Sequence, residues 1–102
     1  MFYKKLKSLS RLKKSSLCVG LDDPDEDQRV ERVCSIIDQT ETHAICFKLN
    51  PAFYHGNEKH IKAITDYMNK RDLLWIYDGK LGDVPHTNDQ YAKYVYDDLG
   101  AS

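Results

Sequence analysis

The chain has 102 residues, 41% of them hydrophobic and 30% charged, with a formal net charge of −1. That suits one small domain with a core. The balanced charge leaves no basic footprint for nucleic acid and no polybasic patch for a membrane surface. No run of about 18 apolar residues is available to span a bilayer.

In chain order, "FYKKLKSLSRLKK" reads as a basic amphipathic helix. It lacks the apolar stretch of a signal peptide. Its acid-free, Ser-containing make-up also suits a mitochondrial presequence, but an ordinary first helix is the expectation. "SLCVGLD" (16–22), "HAICFKLN" (43–50) and "LLWIYDGKL" (73–81) are short apolar runs, the form taken by buried parallel strands. Helical patterns separate them. In "PDEDQRVERVCSIIDQTE", Val30, Val33, Ile36 and Ile37 share one face. Asp23 is expected to cap that helix, with Pro24 in its first turn and Asp25 and Glu26 at the positive end of its dipole. In "NEKHIKAITDYMNKR", Ile61, Ile64 and Met68 mark the buried face, Tyr67 lies beside them and Asn57 is the expected cap. In "TNDQYAKYVYDDLG", Tyr91, Tyr94, Val95 and Leu99 form the face, Thr87 and Gln90 have capping-box spacing, and Gly100 ends the helix. The order α-βα-βα-βα predicts an α/β fold with a parallel sheet and right-handed crossovers. Either a doubly wound sheet or part of a (β/α)8 barrel satisfies it.

Cys18, Cys34 and Cys46 are odd in number and regular for neither zinc nor disulfides. They read as free thiols of a reducing cytosol, with Cys18 and Cys46 buried in strands. His43, His55, His60 and His86 have no ligand spacing, so no metal site is expected.

The charges fall where the strands end: Asp22 after the first, Lys48 in the second, Asp78 and Lys80 in the third. In α/β folds that end of a parallel sheet lines the active site. Strand alternation puts Asp78 and Lys80 on one face, with Gly79 turned away and leaving room for close packing. A lysine held between the carboxylates Asp78 and Asp83 stays protonated and is a positioned proton donor. Asp78 would repel an anionic group of the substrate. Pro85 and Gly82 force a loop that swings Asp83 out of line. Taken singly, the residues have simpler readings. Asp22 and Thr87 read as helix caps, Lys48 as a snorkelling lysine, Asn50 before Pro51 as a turn residue, and D-x-K-x-x-D as a solvated salt bridge.

Together, "LCVGLD" (17–22), "FKLNPAFYHG" (47–56) and "YDGKLGDVPHTNDQYAKYVYDDLGA" (77–101) resemble the orotidine 5′-monophosphate decarboxylase family. They cover roughly half the chain, in the family's order and spacing. The resemblance implies a (β/α)8 barrel and conversion of orotidine 5′-monophosphate to UMP and carbon dioxide, in pyrimidine biosynthesis, without metal or organic cofactor. It implies that Asp22 and Lys48 hydrogen-bond the ribose hydroxyls and, with Asn50, bind the nucleotide, Lys48 also joining the charged network. Lys80 delivers the proton to C6 and Asp78 sits against the substrate carboxylate. Asp83 and Thr87 reach into a neighbouring subunit's site, which implies a homodimer. Thr87 would then both cap a helix and contact nucleotide. A cytoplasmic enzyme is expected. The sequence departs from the family pattern at "GLDDPDED", where Pro more often follows the Asp directly, and at Val84 and His86 beside Thr87.

A complete barrel needs about 200–250 residues. Residues 1–102 therefore read as an incomplete barrel domain, three βα units behind a helix, ending at "LGAS" where a fourth strand would begin. No G-x-x-x-x-G-K or G-x-G-x-x-G phosphate cradle is present. Such a piece is expected to be poorly stable and nearly inactive alone. Two other readings remain open. One is a non-catalytic remnant or interaction module. The other is a magnesium-dependent relative of the same suprafamily, 3-keto-gulonate-phosphate decarboxylase or hexulose-phosphate synthase. Those enzymes place an acid where this chain has Lys48, a cation with no acceptor for a metal.

Overall fold

A computed structural model describes all 102 residues, Met1–Ser102. Helix α1 (Phe2–Lys13) precedes strand β1 (Leu17–Gly20). Helix α2 (Arg29–Thr40), strand β2 (Ala44–Leu49), a 3-10 turn (Pro51–Tyr54) and helix α3 (Glu58–Lys70) follow. Strand β3 (Trp75–Tyr77) leads to helix α4 (Pro85–Ala92), which widens into a π-helical stretch, Lys93–Asp98. The strands are parallel in the order β1-β2-β3. Gly20 pairs with Lys48 and Lys48 with Ile76; Phe47 pairs with Trp75. Gly20, Lys48 and Ile76 thus share one row on one face, while Phe47 and Trp75 belong to the other.

The second face carries the core. Val33 and Ile37 of α2 and Ile61, Ile64 and Met68 of α3 pack on Phe47, Leu49 and Trp75, all nearly or wholly buried. Each such side chain contributes about 1.5–3 kcal/mol. Trp75 also donates its indole N–H to Asn69 Oδ1 at 2.9 Å, and Asn69 Nδ2 donates to the Leu99 carbonyl at 2.8 Å. Gly100 closes the last helix at φ 76°, as expected. A Cβ there would lie 2.7 Å from Asn69 Nδ2, so both conformation and space call for glycine.

Helix α1 serves the opposite end. Phe2, Leu6 and Leu9 cover Ile45, Cys46 and Leu74. Lys13 Nζ donates to the carbonyls of Glu41 and Ala44, where β2 begins. The N-terminal ends of the strands are thus closed, and the charged C-terminal ends stay open.

Several local expectations are corrected. Asp23 does not cap α2, which starts at Arg29 behind Gln28 at φ 55°. Its carboxylate accepts the Asp25 N–H at 3.0 Å and Arg32 Nε at 2.8 Å, while Asp25 Oδ1 accepts the Asp27 N–H at 3.1 Å. Two successive Asx turns compete with helix and win over 23–27. Asn57 sits at the N-cap of α3 but makes no side-chain cap bond. On α2, Ile36 is exposed and Arg29 takes the buried place. Cys46 is buried as expected, but Cys18 is exposed and Cys34 half-buried. Cys18 lies on edge strand β1, whereas α1 covers Cys46.

Candidate active site

The ends of β2 and β3 bring two lysines to one carboxylate. The sequence reading expected strand alternation to put Asp78 and Lys80 on one face; strand β3 instead stops at Tyr77, before either residue. Asp78 takes one more ladder bond, its N–H to the Leu49 carbonyl at 2.9 Å. The chain then turns, and Lys80 stands at φ 50°. That turn swings its ammonium back to Asp78 Oδ1 at 2.7 Å. Lys48 Nζ, from the penultimate residue of β2, lies 3.7 Å from Asp78 Oδ2. Gly79 permits the turn: a Cβ there would lie 2.6 Å from Tyr77 Cε1. The close packing expected at Gly79 is therefore present, against the Tyr77 ring.

The Lys80 hydrogen bond is the main influence holding the Asp78 carboxyl below its ordinary range. Partial burial opposes it; the charges of Lys80 and Lys48 add to it. A carboxylate depressed on folding stabilises the folded state above its unfolded pKa of about 3.9, and that contribution is lost as pH falls through the lower folded value. Carboxyl-carbon NMR titration should therefore give Asp78 a midpoint below about 3.9. The midpoint should rise in Lys80→Ala; a value at or above 3.9 in the parent chain contradicts the pairing.

The remaining candidates lie around this pair. Asp22 is two residues beyond β1, and its carboxylate folds back over Gly20: a Cβ on Gly20 would come within 3.2 Å of Asp22 Oδ2. Gly20 neighbours Lys48 in the sheet, so Asp22 borders the charged network. Asn50 caps the 3-10 turn, its Oδ1 accepting the Ala52 N–H at 3.0 Å. The turn-residue reading of Asn50 holds, and its amide nitrogen is left over for a ligand.

Asp83 does not flank Lys80 within the chain; the only acid paired with Lys80 is Asp78. Asp83 Oδ1 instead accepts the Val84 N–H at 2.7 Å. Thr87 does not cap α4, and no capping box forms. The helix begins at Pro85, with Val84 at the cap position and no side-chain cap bond. Proline at the first helical position presets φ and needs no N–H partner, so the cap position falls three residues early, at Val84 rather than Thr87. Asn88 closes this entry, a role the sequence reading missed. Its Oδ1 accepts the Asp83 N–H at 2.8 Å and its Nδ2 donates to the Asp83 carbonyl at 2.7 Å. Asn88→Ala should cost about 1–2 kcal/mol, the loss of two hydrogen bonds at an exposed site, and Thr87→Ala less than about 0.5 kcal/mol. Chemical denaturation checks the order; a larger loss for Thr87→Ala overturns it.

A cleft of about 390 Å³ opens between the β3–α4 loop and α4, with Asp78, Lys80, Asn88, Tyr91 and Tyr96 in its wall. The chain thus has a concave surface beside a carboxylate–diammonium cluster. Such a site can hold an anion-bearing ligand, deliver a proton and stabilise developing negative charge.

Residues 15–102 match the family described as "Orotidine 5'-phosphate decarboxylase / HUMPS family". The chain belongs to this family. Curated orotidine 5'-phosphate decarboxylases are similar to it. That of Dehalococcoides mccartyi is 36% identical over 107 residues, covering 96% of this chain and 39% of the relative. That of Leptospira interrogans is 36% identical over 115 residues, covering 96% and 42%. The chain therefore spans about two fifths of the length of these relatives. Among solved structures, Leishmania donovani OMP decarboxylase superposes with a TM-score of 0.82 at 27% identity, covering 98% of this chain and 41% of that one. The Plasmodium berghei enzyme gives 0.84 at 19% identity, over 99% and 50%, a likeness of fold. Of the two architectures left open by the sequence, the fold is thus the N-terminal part of the orotidine decarboxylase barrel. No helix of the chain is long and apolar enough to cross a membrane.

Proposed function

We propose that this chain is the N-terminal part of a (β/α)8 orotidine 5′-monophosphate decarboxylase, residues 1–102 forming an incomplete barrel domain that carries the catalytic charges. The observation that carries the reading is the cluster of Lys48, Asp78 and Lys80 at the open ends of β2 and β3, with Lys80 Nζ 2.7 Å from Asp78. In the proposed reaction the bond from C6 to the substrate carboxylate breaks and carbon dioxide leaves. The electron pair stays at C6 and takes a proton from the Lys80 ammonium, giving UMP; solvent then reprotonates Lys80. The fixed ammonium stabilises the developing carbanion. Asp78 stands against the departing carboxylate and holds Lys80 in place. Asp22, Lys48 and Asn50 bind the nucleotide.

Asp83 forms no ion pair with Lys80 and Thr87 makes no helix-cap bond in this chain, which suits service to a second subunit's site in a cytoplasmic homodimer. In that reading, Asp83 is the second acid of the neighbour's network. Orotidine 5′-monophosphate and UMP are then the ligands, and phosphate is gripped by strands beyond this segment.

The magnesium-dependent sugar-phosphate reading is less well supported. Lys48 puts an ammonium beside Asp78 where a hard cation wants oxygen ligands. The test is UMP formation from orotidylate by the complete barrel, with and without EDTA. Turnover should be unchanged by chelation. No turnover of orotidylate overturns the proposal; loss on chelation favours the sugar-phosphate class.

A further inference from the structure

We propose that Tyr54 is a positioning residue that aims Asp22 by holding the peptide group immediately before it, an inference that rests on the nucleotide-binding role proposed for Asp22. Asp22 lies beyond the end of β1, in an exposed, acid-rich loop, where little else fixes its direction. The hinge is Leu21, whose side chain is buried. Its N–H donates to the Lys48 carbonyl at 2.9 Å, and its carbonyl accepts the Tyr54 hydroxyl at 2.6 Å. The Leu21 carbonyl and the Asp22 nitrogen belong to one planar peptide unit. Holding that oxygen therefore fixes the plane from which the Asp22 side chain springs.

Tyr54 is itself immobilised. It is fully buried and ends the 3-10 turn that Asn50 caps. The Arg29 guanidinium lies 4.8 Å from the centroid of its ring. Arg29 is buried at 2% exposure, and no carboxylate forms an ion pair with it. Its Nη1 lies 3.4 Å from His60 Nδ1, and its Nε has no hydrogen-bond partner. Burying a cation in this way is costly, and the aromatic face offsets part of that cost. The ring is thus clamped from behind while its hydroxyl reaches forward to β1. Burial pushes the phenol up to about 12, so the hydroxyl remains a donor at neutral pH. One phenol ties the ends of β1 and β2, which carry Asp22, Lys48 and Asn50.

The test is Tyr54→Phe in the complete barrel, alone and combined with Asp22→Ala. Phenylalanine keeps the ring under Arg29 and removes only the hydroxyl. UMP affinity should fall about threefold to tenfold, the range for one hydrogen bond, and KM should rise with kcat much less affected. In the Asp22→Ala background the same substitution should add nothing, because the two act as one unit. An unchanged affinity in Tyr54→Phe, or a full further loss on top of Asp22→Ala, reduces Tyr54 to packing and overturns the proposal. Failure of the underlying reading shows separately: Asp22→Ala alone would then leave UMP affinity intact, and both assignments fall together.

Discussion

Lys80→Ala in the complete barrel is expected to lower orotidylate turnover by about 10⁴-fold or more, while UMP still binds. The size follows from two losses. The variant has no acid within reach of C6, and it has no cation to balance charge developing there. Asp78 keeps Lys48 at 3.7 Å, but that ammonium belongs to the preceding strand and is pledged to the nucleotide in the proposed mechanism. The Lys80 side chain is 75% exposed, so its removal leaves the core intact, and folding should be preserved. That separation makes the experiment informative. Rate and affinity are read by steady-state kinetics and UMP titration, and the expected signature is a collapse of kcat with a small change in affinity. A rate like that of the parent enzyme would end the assignment of Lys80 as proton donor.

The second large effect concerns the 102 residues on their own. They are expected to turn over orotidylate at least about 10²-fold more slowly than the complete barrel and to unfold in mild denaturant. Only 18 of 102 residues are buried, because one face of a three-stranded sheet is covered and the other is covered only by α1 near its lower end. Cys18 and Ile76 are exposed on the face that also bears Lys48, which the remaining strands of a barrel would enclose. Both edge strands leave backbone groups unpaired. The free edge of β3 is already used by Ser102, whose N–H donates to the Trp75 carbonyl at 3.0 Å and whose hydroxyl accepts the Trp75 N–H at 3.1 Å. Strand pairing there is what a following strand would extend. An open edge lets Asp78 and Lys80 drift, and an ångström of drift is costly to catalysis. Turnover by the purified chain comparable with that of a complete barrel, or high resistance to denaturant, contradicts the incomplete-barrel reading.

Much of this was legible in the residues because the signals are local and redundant. Three short apolar runs separated by periodic helices imply a parallel α/β order before any coordinates are seen. Gly100 announced a helix end because a single residue carries that signal. The charged positions were legible because Asp22, Lys48, Asp78 and Lys80 each follow or close an apolar run, and apolar runs mark the strands. The caps were not legible. Asp23 and Thr87 have the right chemistry for N-caps, but Asx turns in one case and Pro85 in the other offered the backbone a better local solution. Arg29 was equally hidden, since nothing in "QRVERV" says which arginine enters the core. The partner that admits it, Tyr54, lies 25 residues away in sequence.

By itself, then, the amino-acid order determined the element types, their sequence, the parallel sheet and the strand-end placement of the charges. Each of these follows from periodicity and from the cost of burying charge within a few neighbouring residues. The tertiary structure alone decided which charges meet. Asp78 pairs with Lys48 because two strands lie in register, and with Lys80 because a left-handed turn folds the chain back. Asp83 pairs with neither lysine, its carboxylate accepting the Val84 N–H instead. Contacts between residues distant along the chain depend on the packing of whole elements, and a local pattern does not encode them.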